Sequence, residues 1–163
     1  MIYPASYEQK IGFGQIKKHI SQLCISTIGQ HFVEKIHFSS NIVAIKKLLD
    51  QSSEFVDLLA IGKAFPTNDF IDLREDIQQL KTPGSFIEQE VLFNLVASLF
   101  TLQEILNYFN ETDKEAFPEL KKLVDLVYLP EELLHEAQKI IDKKGEIRDS
   151  ASDKLKTIRQ SIT

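Results

Sequence analysis

The sequence predicts an all-α protein: a multi-helix unit over residues 1–163 whose last segment starts a longer helix. Three observations carry that expectation. Apolar residues recur at spacings of three and four, and alternation with period two never lasts more than a few residues. Serine, asparagine and proline stand where helices should begin. Six glycines and five prolines are too few for the many tight turns of a sandwich or barrel. A chain of 163 residues is long enough to bury a core.

Taken in order, Ser6 and Gln9 form a capping-box pattern that opens a short helix. Gly12-Phe13-Gly14 then reads as a turn between helices. It lacks a preceding strand and a third glycine, so it does not read as a phosphate loop. Phe13, Ile16, Ile20 and Leu23 make an apolar stripe, with Lys17, Lys18 and Gln22 outside it and His19 at its edge. Ser26 or Thr27 caps the next helix, whose first turn contains Gly29. Glycine inside a helix costs about 1 kcal/mol relative to alanine, which points to close approach by another backbone. Phe32, Val33 and Ile36 are expected to face inward. Ser40 or Asn41 caps a long helix that should carry Ile42, Ile45, Leu48, Leu49, Phe55, Val56 and Leu59 into the core and end at Gly62.

A shorter helix is expected from about Asp69 to Lys81, with Phe70, Leu73, Ile77 and Leu80 as its stripe. Thr82-Pro83-Gly84 breaks it. Ser85 and Glu88 form a second capping box. It opens the longest helix, roughly Phe86 to Phe109, whose wide apolar face marks it as central and buried. Phe117-Pro118 starts another short helix. Val127–Leu129 is an apolar link and, with Glu146–Arg148, one of two weak strand candidates. Pro130 fits the first position of the next helix. Glu131 and Glu132 complement its dipole at the start, and Lys139, Lys143 and Lys144 at the end. Gly145 is expected to close that helix as a left-handed cap. Ser150 or Ser152 caps the last helix, where Leu155, Ile158 and Ile162 share a face. No glycine, asparagine or proline follows, as expected of the first turns of something longer.

Charge is unevenly spread. Residues 143–163 hold six basic and three acidic side chains, +3, so the net −5 leaves −8 on the first 142. An acidic body is a poor general binder of phosphate backbones, whose affinity comes mainly from Lys and Arg. Only the last helix could contribute, through Lys154, Lys156 and Arg159, against the plainer reading of a solvated face. Met1-Ile2-Tyr3-Pro4 lacks the basic start and apolar run of a secretory leader. No apolar run approaches the roughly 18 residues of a membrane span. The single cysteine, Cys24, suits a reducing compartment, and a cytoplasmic protein without membrane contact is expected.

The residues for catalysis are not assembled in the sequence. His19, His31, His37 and His135 show no metal spacing. Gly62-Lys63 is followed by Ala64, not the hydroxyl of a P-loop. Cys24 ends an apolar stripe, where it reads as a small core residue rather than a nucleophile. Glu75-Asp76 and Glu131-Glu132 are adjacent, so on a helix they point apart. No catalytic, cofactor-binding or metal-binding residue is expected here.

Four stretches, in this order, carry a resemblance: Lys10–Ile16, Leu23–Gly29, Gly84–Val91 and Ile141–Arg159. They resemble the N-terminal region of the bacterial MutS paralogues that end in an Smr nuclease domain (MutS-two). The run Asp149-x-Ala151-Ser152-x-x-Leu155-x-x-Ile158-Arg159 is the most specific part. Ser26-x-x-Gly29 is also similar to the core and lever region of mismatch-repair MutS proteins. The resemblance implies a helical core/lever segment, with 152–163 as the start of a helix leaving for a coiled-coil clamp. It further implies a dimeric ATPase as the whole protein, using ATP and Mg bound elsewhere and acting on branched DNA or on collided ribosomes. The mismatch-reading domain that would precede the core has no counterpart in the resemblance, which speaks against mismatch repair. The rival reading is a helical adapter that binds a protein partner through Leu155, Ile158 and Ile162.

Overall fold

The structure is a computed structural model that describes residues 6–68, 70–113 and 115–162, with Ile162 described by its backbone alone. Met1–Pro4, Asp69 and the Ile162 side chain, which figure in the expectations above, lie outside the described residues. The helices are α1 (Tyr7–Lys10), α2 (Phe13–Leu23), α3 (Thr27–Glu34), α4 (Ile42–Ala60), α5 (Arg74–Gln79), α6 (Gln89–Glu111), α7 (Pro118–Val124), α8 (Glu131–Ile140) and α9 (Asp153–Ile162), with a 3-10 turn at Asp149–Ala151 before α9. Among the described residues there is no sheet, and β pairing is limited to an isolated antiparallel bridge between Ile141 and Ile147. The chain is therefore an all-α, multi-helix bundle.

The central element is α6, and it serves two cores. Its C-terminal half brings Tyr108 and Phe109 to Leu58 of α4, Phe117 and Leu120 of α7. Phe65 stands among these rings, 5.3 Å from Phe55, 5.4 Å from Tyr108 and 6.3 Å from Phe109, all edge to face, the arrangement ring quadrupoles favour. The N-terminal half packs Val96 and Leu99 against Leu134, Ala137 and Ile141 of α8 and its exit. By length and composition α6 could cross a membrane, contrary to the expectation that no apolar stretch is long enough for a span. Here its apolar face lies against α7 and α8.

Several starts are where the side chains place them. Ser26 Oγ accepts from Gly29 N (3.1 Å), Asn41 Oδ1 from Ala44 N (3.1 Å) and Ser152 Oγ from Leu155 N (3.1 Å). Two capping boxes do not form. Ser6 sits at the N-cap of α1 without a side-chain bond, its backbone at φ −86°, ψ 11° instead of the extended cap conformation. Ser85 N is already donated to Thr82 O (3.1 Å), which closes the Thr82–Ser85 turn and removes the donor Glu88 would need. So α6 starts at Gln89, with Glu88 as its uncapped N-cap. Pro130 is likewise at the N-cap of α8, one position earlier than expected.

Two helices are shorter than their patterns. Only Arg74–Gln79 is helical in the segment expected to run from Asp69 to Lys81. The Asp72 carboxylate takes the Arg74 amide (3.2 Å) and its guanidinium (2.8 and 2.5 Å), holding the chain in a turn there. Gly145 does not cap α8, which ends at Ile140. It turns a tight hairpin at φ 83°, and a Cβ there would meet the Phe93 ring at 3.2 Å. Gly29 faces Cys24 and Ser26 side chains at ordinary contact distance and not a neighbouring backbone.

The largest departure concerns α4. Leu58, absent from the expected stripe, is its buried residue at 0% exposure, while Ile42, Leu48, Leu49 and Val56 are exposed at 78, 63, 64 and 65%. Phe32 and Ile36 of the α3 region are also exposed, and only Val33 there is buried. Polar ties from α4 to α7 account for its orientation. Glu54 accepts from Glu119 N (2.9 Å) and Leu120 N (2.8 Å), capping α7 from another helix, where a carboxylate also complements the dipole.

Candidate functional site

The candidate nucleic-acid contact lies at the end of a stitched unit made of α8, the hairpin and α9. Asp142 Oδ1 receives the amides of Lys144 (2.8 Å) and Glu146 (2.9 Å), and Asp142 N donates to Glu146 O (2.9 Å). Those two amides, Glu146 first, and then the charge of Arg148 hold the Asp142 carboxyl below its ordinary range. Arg148 N donates to Ile140 O (2.8 Å), and its Nε reaches Gln138 O (2.8 Å) and Ile141 O (3.3 Å) at the carbonyl end of α8. The Glu146–Arg148 strand candidate thus becomes one side of a hairpin, although no ladder extends it.

Of the three cations singled out, Arg159 is engaged within the chain. Its Nη1 donates to Ile147 O (3.1 Å) and pairs with the Asp149 carboxylate. It fastens α9 back onto the connector. Lys154 and Lys156 are exposed. Two residues apart, they project about 200° from one another around the helix, so they do not converge on one phosphate. Leu155 is half-buried, and Ile158 is exposed.

An open cleft of about 520 Å³ lies beside this unit, between α6, α8 and the hairpin, with Phe93, Phe100, Thr101, Glu104, Lys143 and Arg148 among its walls. Its lining mixes apolar side chains of α6 with Thr101, Glu104, Gln138, Lys143 and Arg148. Among the described residues, no group of three or more His, Cys, Asp or Glu could hold a metal ion. Cys24 is half-buried, with its Sγ 3.4 Å from Ile20 O. His19, His31, His37 and His135 are exposed and scattered.

The second notable surface was not anticipated. The chain exposes 12719 Å², against about 8,300 Å² for a compact monomer of its 18.7 kDa mass. Many large apolar side chains are among the exposed residues. Ile16, Ile20 and Leu23 on α2, Phe32 on α3, and the stripe of α4 stand bare. Lys17, expected to face solvent, instead donates to the Glu34 and Ile36 carbonyls (2.6 and 2.9 Å), tying α2 to the end of α3. The sequence signal for this surface was present in the stripes themselves; what it does not encode is whether the covering element belongs to the same 163 residues.

No family model matches the sequence. No solved structure matches the fold. Curated proteins do match. The chain is 29% identical over 152 residues to the protein named "Endonuclease MutS2" of Lactobacillus helveticus (strain DPC 4571), covering 92% of this chain and 19% of that one. It is 27% identical over 153 residues to the protein of the same name from Geobacillus sp. (strain WCH70), again 92% and 19%. The protein of that name from Clostridium botulinum (strain Alaska E43 / Type E3) is 23% identical over 151 residues, with the same coverage. The chain thus spans about a fifth of the length of these curated relatives. It is a remote homologue of bacterial proteins named Endonuclease MutS2, with an all-α fold and no sheet among its described residues.

Proposed function

We propose that this chain is the structural core/lever part of a MutS-like, nucleic-acid-acting ATPase. It carries motion between a nucleotide-driven module and a clamp, and performs no catalysis itself. Similarity to the MutS2 proteins along 92% of the chain is the observation that carries the reading. Two features support it. A 23-residue α6 shared by two cores makes a stiff rod, as mechanical transmission requires. The α8–hairpin–α9 unit, fastened by Arg148 and Arg159, makes the direction of α9 follow α8. In this proposal ATP and Mg bind elsewhere in a longer, cytoplasmic, homodimeric protein, and branched DNA or the ribosome is its partner. Lys154 and Lys156 are the phosphate contacts, with Arg159 as their positioning residue.

The test starts from the coding frame after Thr163. Where it continues into an ATPase, Arg159→Ala in the whole protein should leave nucleotide binding intact. It should also reduce the change in DNA affinity that nucleotide produces. Charge reversal at Lys154 and Lys156 alone should weaken DNA binding and lower its salt slope. Unchanged nucleotide-dependent affinity in Arg159→Ala would remove the lever; unchanged salt dependence in the double reversal would remove the phosphate contact. A frame that closes at Thr163 would favour the alternative, a helical adapter, for which the bare surface of α4 speaks.

A further inference from the structure

The cleft between α6, α8 and the hairpin gathers polar groups that the fold leaves without partners. Thr101 is the buried polar residue among the described residues, 4% exposed. It stands in the cleft wall, and its hydroxyl bonds to no other described residue. Such a hydroxyl is costly, because it has left water without finding a substitute. Glu104 is three residues further along α6, so the two are neighbours on the face that lines the cleft. Its carboxylate is likewise unpaired among the described residues. The other wall carries Lys143 and Arg148. Arg148 is fixed through Nε, which donates to Gln138 O (2.8 Å) and Ile141 O (3.3 Å), while its two terminal nitrogens bond to no described residue. Asp142, also in that wall, turns Oδ1 to the Lys144 and Glu146 amides and forms no ion pair with Arg148.

We propose that this cleft binds a nucleoside monophosphate. The phosphate meets Lys143 and the free end of Arg148, a planar fork already held in place, as anion recognition favours. The flat base lies on the apolar surface of Phe93, Ala97 and Phe100, each a turn from the next along α6. Its edge meets Thr101 and Glu104. Adenine shows an acceptor ring nitrogen beside an amine donor, the complement of a donating hydroxyl beside an accepting carboxylate. Size agrees with this class: about 520 Å³ is in the range of small-ligand sites. From Phe93 to Glu104 the helical wall runs about 16 Å. Other anions fit less well. A fatty acid would fill the apolar part and leave Thr101 and Glu104 against hydrocarbon. An acidic peptide would meet the cations and bring further carboxylates toward Glu104. The site is formed within these 163 residues, so it stands or falls apart from the lever reading.

The experiment is calorimetric titration of the 163-residue chain with AMP, AMP dimethylated on its amine, ribose 5-phosphate and inorganic phosphate. Circular dichroism checks that each variant keeps its helices. AMP should bind at least about tenfold more tightly than each of the other three, since each lacks a group the cleft is built to meet. Thr101→Val removes the hydroxyl and nearly keeps the shape. It should leave the melting temperature of the ligand-free chain unchanged or higher, and weaken AMP by about tenfold. Glu104→Gln should weaken AMP and narrow its advantage over the dimethylated form. Lys143→Glu should weaken AMP and ribose 5-phosphate alike. A short single strand of oligoadenylate separates the two sources of this ligand. Competing at lower concentration than AMP, it places the bound nucleotide in a strand; failing to compete, it makes the free nucleotide the ligand. No AMP binding up to millimolar concentration overturns the proposal. So does inorganic phosphate binding as tightly as AMP, or AMP affinity indifferent to both Thr101→Val and Glu104→Gln.

Discussion

Leu49 and Leu58 lie on the same helix, and their fates differ completely: one is 64% exposed, the other fully buried. The contrast extends to whole elements. Both α4 and α6 are long and rich in apolar residues. Helix α6 meets α7 and α8 and buries Val96, Leu99, Tyr108 and Phe109. Helix α4 gives one narrow side to α7 and turns its richest stripe outward. An apolar stripe shows which face of a helix is to be covered. It does not show what covers it, because burial belongs to pairs of surfaces and only one of each pair is written in a single stripe.

The largest effect that sharpens the contrast is a pair of identical truncations. Leu58→Ala should destabilise the chain by about 2–5 kcal/mol, while Leu49→Ala should stay within about 0.5 kcal/mol. Urea titration at low concentration reads both, and equal losses would erase the distinction between the two faces. Glycines give the next test. Gly145→Ala must hold an L-residue at φ 83° beside the Phe93 ring, a cost of about 1–2 kcal/mol from the backbone alone. Gly29→Ala adds a methyl at ordinary contact distance and should be neutral to stabilising by about 1 kcal/mol. Third, Glu54→Ala should cost about 1–2 kcal/mol by uncapping α7 and should expose the Leu120 amide to faster hydrogen exchange.

A smaller effect concerns pH. The Arg74 side chain, its amide and its charge, with a contribution from His31, lower Asp72 from 3.8 to about 2. Asp142 is lowered by its two amides. In both, the unfolded chain takes up a proton first, so their stabilisation is present above the ordinary carboxylate range. It is lost as pH falls through it, down to about 2 for Asp72. Urea midpoints should drop between pH 5 and pH 2, and Asp142→Asn, which keeps an acceptor oxygen, should make that drop shallower. An unchanged pH profile in that variant would show that the hairpin is not held by the charge.

Helix existence was legible in the sequence nearly throughout, because the three–four spacing survives whatever the partner is. Three caps were legible to within two candidates, Ser26 or Thr27, Ser40 or Asn41, and Ser150 or Ser152, of which Ser26, Asn41 and Ser152 make the bond, and Pro118 was legible as a helix start, because these act within a few residues. The failures have local competitors. At Ser85 the turn had already taken the amide, at Asp72 the carboxylate took Arg74, and at Gly145 a hairpin needed the same positive φ that a helix cap would. Tyr108 was passed over because its hydroxyl marks it as polar while its ring packs among Phe65 and Phe109. At the candidate site the sequence showed the cations but not that Arg159 is turned back onto Ile147 and Asp149. That depends on the curvature of the connector, which no periodicity records.

The sharing of α6 between two cores has a consequence for synthesis. As the chain emerges from a ribosome, α6 is complete at Glu111, but α8, which covers its first half, is complete only at Ile140. At ordinary elongation rates that gap lasts about two to six seconds. For that interval the nascent chain displays a helix whose length and composition match a membrane span. Its correct fate therefore depends on the timely arrival of Leu134, Ala137 and Ile141. Anything that stalls translation between α6 and α8 would present this segment to the membrane-targeting and quality-control machinery of the cell.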